Sequence, residues 1–182
     1  MLFRSFAISA ILGFGLLGPA ALADDSAKQP QAAGQQSAPA PAGEAAPGSP
    51  AATAESAGKG ELKSPYSDFA KVADEGHKKF MAAGCNGCHG GGGGGGMGPP
   101  LTNQVWIYGK DDDTLFRLVA LGSDGLQKQG YHRKGSENVV GPMPAMGGVV
   151  KSDDDLWKII AWIRSVNPSS TSASAETAPP AQ

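Results

Sequence analysis

Three stretches of this chain repeat apolar residues at the helical interval, and no stretch alternates convincingly as a strand does. From Tyr66 to about Ala83, Phe69, Val72, Gly76 and Phe80 fall on roughly one side, with Pro65 or Ser67 near the start. From Asp111 to Leu121, acidic residues occupy the first turn, Leu115, Leu118 and Val119 share a face, and Gly122 reads as the stop. The clearest pattern runs from Ser152 to Val166. There Ser152 and Asp155 form a capping-box-like start, and three aspartates sit at the positive end of the helix dipole. Leu156, Ile159, Ile160 and Ile163 make the apolar stripe. The expected fold class is all-α.

Elsewhere the periodicity lapses. Residues 1–23 read as a secretory signal peptide: Arg4 gives the positive start, Phe6 to Leu17 the apolar stretch, and Ala21-Leu22-Ala23 a small-x-small cleavage site. The alternative is an uncleaved membrane anchor, which Gly13, Gly15, Gly18 and Pro19 weaken. Residues 24–63 are mostly Ala, Pro, Gly, Ser and Gln. Such a stretch buries too little apolar surface to offset its chain entropy, so a disordered linker is expected. The tail, residues 167–182, has the same character. One domain, residues 64–166, remains. A chain that short buries a modest core, which a cofactor would enlarge.

Charge narrows the function classes. The 15 Lys and Arg against 17 Asp and Glu leave a net charge of −2. With no large basic face and no basic groove studded with aromatics, nucleic-acid binding is not expected.

The chemistry lies in Cys85-Asn86-Gly87-Cys88-His89. Cys-x-x-Cys-His is the attachment signature of c-type haem. Two thiols at that spacing can each form a thioether with one porphyrin, and the adjacent His can ligate the iron. These are the only two cysteines. The competing readings are a thioredoxin-like pair, a structural disulfide and half of a zinc site. A thioredoxin-like pair needs a βαβ setting and zinc needs a second ligand pair; neither is visible. One covalent haem c is expected, which in bacteria implies a periplasmic protein.

With these residues in view, residues 64–166 resemble a class I cytochrome c, with helices wrapped around one covalently bound haem. Gly76 and Phe80 match the glycine and aromatic that the family's first helix packs on its last, and Trp162 matches the aromatic there. Gly98-Pro99-Pro100-Leu101 resembles the family's Gly-Pro-x-Leu. The resemblance implies that the Pro99 carbonyl accepts the Nδ1 proton of His89 and that Leu101 packs on the haem face. Met143-Pro144-Ala145-Met146-Gly147 resembles the family's Met-Pro-Ala-aromatic-Gly, which makes Met143 the sixth ligand, between two prolines that restrict its backbone. Met146 is the alternative ligand, or a core filler where an aromatic usually packs. Met97 lies too near the proximal strap, Gly98–Leu101, and His77 and His132 are expected to be exposed. Trp106 and Tyr108 are expected to wall the haem pocket and to hydrogen-bond a propionate.

His/Met coordination fills both axial positions, so the expected function is one-electron transfer between larger proteins, by a monomer and without enzyme activity. Trp-x-Tyr segments like Trp106-Ile107-Tyr108 occur in periplasmic cytochromes that serve quinoprotein alcohol dehydrogenases and in cytochromes associated with terminal oxidases. A dehydrogenase donor and an oxidase acceptor are therefore the expected partners. The alternatives are a membrane-tethered, oxidase-linked cytochrome, which needs the signal uncleaved, and a haem enzyme or gas sensor with an open sixth site. Two departures from the compact family pattern stay open. The glycine run Gly90–Gly96 is either a flexible low-complexity loop or an unobstructed path to the haem edge. Gly125–Val140, with Lys128, His132, Arg133 and Lys134, is either a solvated insertion or a basic loop that steers an acidic redox partner.

Overall fold

Gly76 sets the architecture. A Cβ there would lie 1.9 Å from the Lys158 carbonyl oxygen and 3.0 Å from Trp162 Cβ, so only hydrogen lets the two helices that carry these residues cross so closely. In the computed structural model, which describes residues 46, 48–167 and 169, they are the second and fifth of five helices. The set is α1 Pro50–Ser56, α2 Ala70–Ala82, α3 Asn86–His89, α4 Asp112–Lys128 and α5 Asp153–Val166, and no strand occurs among the described residues. Phe80 packs on Trp162 with ring centroids 4.4 Å apart. The core continues through Phe116, Leu156, Ile159 and Ile160, all essentially inaccessible. Lys79 to Asp155 (2.6 Å) and Lys158 to Glu75 (2.9 Å) bridge the two helices at the crossing.

Local chemistry places the helix starts. Ser152 Oγ accepts from the Asp155 N–H at 3.2 Å, and Asp153, Asp154 and Asp155 follow at the dipole's positive end. Asp111 Oδ1 accepts from the Thr114 N–H at 2.9 Å and so caps α4. Gly122 does break that helix, with φ 70° and ψ 178°, but the chain re-enters a helix at once and continues to Lys128. The expected stop is a kink.

The linker expectation fails at its C-terminal end. Residues 50–56 form α1, capped by Ser49 and opened by Pro50, and Ala54 is completely buried. Arg117, 2 % exposed, holds this segment down. Its Nε donates to both oxygens of Asp113 at 3.0 and 3.1 Å. Nη1 donates to the Ala54 carbonyl and, at 2.9 Å, to Gln129 Oε1. Nη2 donates to the Ala57 and Gly58 carbonyls at 2.9 and 2.8 Å. Asp113 also accepts from the Leu62 N–H and the Tyr131 hydroxyl. Burial and this carboxylate push the Tyr131 pKa up to about 12. A segment without an apolar stripe is thus fixed through its backbone carbonyls. Residues 24–45, like the signal-like residues 1–23, lie outside the described residues.

The tail boundary shifts too. Asn167 is buried and donates from Nδ2 to the Leu101 and Asn103 carbonyls, each at 2.7 Å. Ser169 folds back on Asn167, donating from its backbone N–H to Oδ1 at 2.9 Å. Residues 168 and 170–182 lie outside the described residues.

Candidate haem site

The helices enclose a cavity of about 590 Å³ whose wall includes Cys85, Cys88, His89, Pro99, Leu101, Trp106, Tyr108 and Met143. Every site residue expected from the sequence therefore lines one space, within the range of roughly 300–1,000 Å³ typical of small-molecule and cofactor pockets.

Cys85 caps α3, whose single turn carries the rest of the attachment motif, and both thiols are free. Burial pushes the Cys85 thiol up from its ordinary pKa. His89 is buried, and its Nδ1 lies 2.9 Å from the Pro99 carbonyl oxygen. A carbonyl can only accept, so Nδ1 carries the proton and Nε2 keeps its lone pair, the form in which imidazole ligates a metal. Gly98 supports the ring from below, since a Cβ there would lie 2.9 Å from His89 Cε1.

Most of the remaining wall is apolar, with Leu115, Leu118 and Val119 from α4 and Ile159 and Ile163 from α5. Trp106 lines it, but its indole N–H is given to Ser169 Oγ at 2.7 Å. The expected propionate bond from this residue is thereby corrected: the tail takes its only donor. The Tyr108 hydroxyl accepts from Gln127 Nε2 at 3.0 Å, and the residue is buried. Met143 and Met146 both line the cavity and both are half-buried. Met97 sits at the mouth, 57 % exposed. His132 is exposed and lines a separate, smaller recess. His77 is not simply exposed. It is half-buried, stacks on Trp162 at 4.6 Å between centroids, and pairs its Nε2 with the Gly91 carbonyl at 2.7 Å.

That last contact bears on the glycine run, which is hydrogen-bonded to its surroundings. It folds back on the attachment motif: the Gly95 N–H donates to the His89 carbonyl at 2.8 Å, and the Leu101 N–H to the Gly93 carbonyl at 2.7 Å. None of Gly90–Gly96 is on the cavity wall. The run packs against the attachment motif, off that wall.

The 125–140 segment is anchored as well, through the Lys134 and Gly135 N–H groups, which both donate to the Ile107 carbonyl at 2.6 and 3.0 Å. It brings Arg133 to the wall, the one charged side chain among the described lining residues, 6.0 Å from the centre of the Tyr108 ring. Sequence reasoning noted Arg133 only as part of a basic loop and missed its place at the cavity. It missed Ser123 and Gln127 altogether, since neither belongs to a motif.

Two free thiols, an imidazole with a bare nitrogen, a thioether and apolar walls are the donor set and surroundings that a covalently bound haem requires. The zinc alternative lacks partners: among the described residues no three His, Cys, Asp or Glu side chains cluster so as to hold a metal ion. No described helix is long and apolar enough to cross a membrane.

Comparison with known proteins agrees with this chemistry. No curated protein matches the sequence. Among solved structures, the chain is similar to cytochrome cL from Hyphomicrobium denitrificans, with 27% identity and a TM-score of 0.43 over 63% of this chain and 58% of that one. The chain thus spans under two thirds of that protein's length. It is also similar to cytochrome cL from the marine methylotrophic bacterium Methylophaga aminisulfidivorans, with 22% identity and a TM-score of 0.42 over 71% of this chain and 87% of that one. Residues 73–167 match the family Cytochrome c, more than half of the chain, and the match takes in the attachment motif, the strap, both candidate methionines and the crossing helices. The chain belongs to the cytochrome c family of electron carriers that bind haem c covalently.

Proposed function

We propose that this protein is a periplasmic one-electron carrier. In this reading Cys85 and Cys88 hold the haem, His89 and Met143 are its axial ligands, a quinoprotein-type dehydrogenase is the donor and a terminal oxidase is the acceptor. The observation that carries the reading is the convergence of α3 and the 143–146 segment on one apolar cavity. When bound, the haem supplies an iron that shuttles between the ferrous and ferric states. The chain's own residues determine what that iron can do. His89, oriented by Pro99, and Met143 would fill both axial positions, which leaves no open site for a substrate. A thioether also favours the ferrous state and raises the potential relative to a second imidazole. Arg133 offers a counter-charge to the cofactor's carboxylates. Around the mouth, Met97, Val105 and Val140 are 57 %, 38 % and 80 % exposed, an apolar rim of the kind that a transient partner covers. The dehydrogenase and oxidase assignments rest on the Trp106-Ile107-Tyr108 segment and its likeness to cytochromes serving those enzymes.

Met143→Ala and Met146→Ala test the ligand assignment and the function together. Met143→Ala should abolish the thioether–iron charge-transfer band at the red end of the ferric spectrum, lower the potential and slow reduction by a dehydrogenase. Met146→Ala should keep the band and cost about 0.5–3 kcal/mol of stability, because its side chain is half-buried. The opposite pattern would move the ligand to Met146, and a band untouched by either change would remove the basis for the carrier mechanism. The mass of the protein's N-terminus separates the free periplasmic form from a tethered one.

A further inference from the structure

The kink in α4 does more than bend a helix. In an uninterrupted helix the Ser123 N–H would bond the Val119 carbonyl, and the Ala120 carbonyl would take the N–H of Asp124. Gly122 lifts the chain out of register, with φ 70° and ψ 178°, and these groups turn to the methionine segment. The Ser123 N–H donates to the Met143 carbonyl at 2.9 Å. The Val119 carbonyl takes the Met146 N–H at 2.9 Å, and the Ala120 carbonyl the Gly147 N–H at 3.0 Å. The Ser123 hydroxyl adds a fourth link by accepting from the Met143 N–H at 3.1 Å.

Met143 is therefore held at both ends of its own backbone by one residue. Its flanking residues, Pro142 and Pro144, have no N–H to offer, so this is the only backbone donor of residues 142–144, and Ser123 takes it. Ser123 is buried and lies on the cavity wall. Gly122 admits the contact: a Cβ there would stand 2.6 Å from the Met143 carbonyl oxygen and 2.7 Å from the Ala145 nitrogen, in a left-handed conformation that disfavours any side chain.

We infer that Ser123, presented by the Gly122 kink, is a positioning residue that fixes the Met143 thioether at the sixth coordination site and resists its replacement by other ligands. The inference rests on Met143 being the axial ligand. Its physical basis is pre-organisation: a ligand whose backbone is pinned gives up little conformational freedom on binding, so a competitor gains little by displacing it.

The test uses the ferric holoprotein titrated with imidazole, which competes for the sixth site, followed by bleaching of the thioether–iron charge-transfer band. Ser123→Ala should bind imidazole roughly three- to tenfold more tightly, the range expected for loss of one hydrogen bond. Trp157→Phe, a core change on α5 off the cavity wall, should lower the melting temperature and leave the imidazole affinity unchanged. Equal affinity in Ser123→Ala and the parent protein would overturn the inference. So would a comparable gain in Trp157→Phe, because the effect would then be general loosening. A measurement on the unmodified protein needs no folding variant: the Ser123 and Met143 amides should be protected from hydrogen exchange, and rapid exchange at both would also overturn it. Met143→Ala in the same series keeps the two questions apart. If the band survives there, the axial-ligand assignment fails; if it is lost there while Ser123→Ala titrates like the parent, only the positioning role fails.

Discussion

Replacing Arg117 with Leu removes the guanidinium that ties α1 and the residues just after it to α4. All three side-chain nitrogens have partners: Asp113, the Ala54, Ala57 and Gly58 carbonyls, and Gln129. The Ala57 and Gly58 carbonyls belong to partly exposed residues, so water can replace the arginine there. Asp113 is 2 % exposed and keeps the Tyr131 hydroxyl and backbone N–H donors such as that of Leu62, none of which carries a compensating charge. Leaving one partner of a buried ion pair behind costs about 3–5 kcal/mol. For a domain of this size, at about 4 °C per kcal/mol, the melting temperature should fall by roughly 10–20 °C. Acid provides an independent signature. Burial alone would raise the Asp113 pKa, but the hydroxyl of Tyr131 and the guanidinium of Arg117 outweigh it and hold the carboxyl below its ordinary range. A depressed folded-state pKa stabilises the parent protein above the unfolded-state value of about 3.9, and that stability is lost as pH falls through the folded-state value. In Arg117→Leu the unpaired, buried carboxyl favours its neutral form, so the gap between variant and parent should narrow as pH drops through about 4. Thermal unfolding followed by circular dichroism at several pH values reads both effects, and limited proteolysis reports release of residues 46–63. A variant within about 1 kcal/mol of the parent, with unchanged protease resistance, would refute the clamp; one neutral hydrogen bond alone is worth about that much.

Other consequences follow from the same structure. Deleting residues 24–60, harmless for a disordered linker, should lower the melting temperature, because buried Ala54 leaves the core and Arg117 loses its carbonyl partners; an unchanged melting temperature would restore the linker reading. Gly76→Ala should cost at least the roughly 1–3 kcal/mol of overpacking, since the added methyl meets the Lys158 carbonyl, and denaturant unfolding would show it. Cys85→Ala with Cys88→Ala should give haem that acid–acetone extracts, whereas covalent haem retained in the double variant would sink the attachment assignment.

The attachment motif, the strap and the methionine segment stand out because each is written in contiguous residues, and the two crossing helices because each carries its own apolar pattern. Three-residue spacings fix Cys85 and Cys88, and an apolar stripe marks α5. What stayed hidden depends on residues far apart in the chain. α1 has no stripe, only alanines small enough to lie close, and its anchor is an arginine some sixty positions away that grips backbone rather than side chain. A glycine at position 122 reads as a stop, and whether the chain ends its helix or resumes it depends on the methionine segment docked into the break. The glycine run has no side chains with which to announce a partner, yet its carbonyls meet His77 and Leu101. Trp106 lines the cavity, but its N–H goes to Ser169, beyond the expected edge of the domain. Side-chain periodicity and motif spacing are local properties that a sequence carries openly. Hydrogen bonds to backbone carry no residue signature, and only folding decides which distant group receives them.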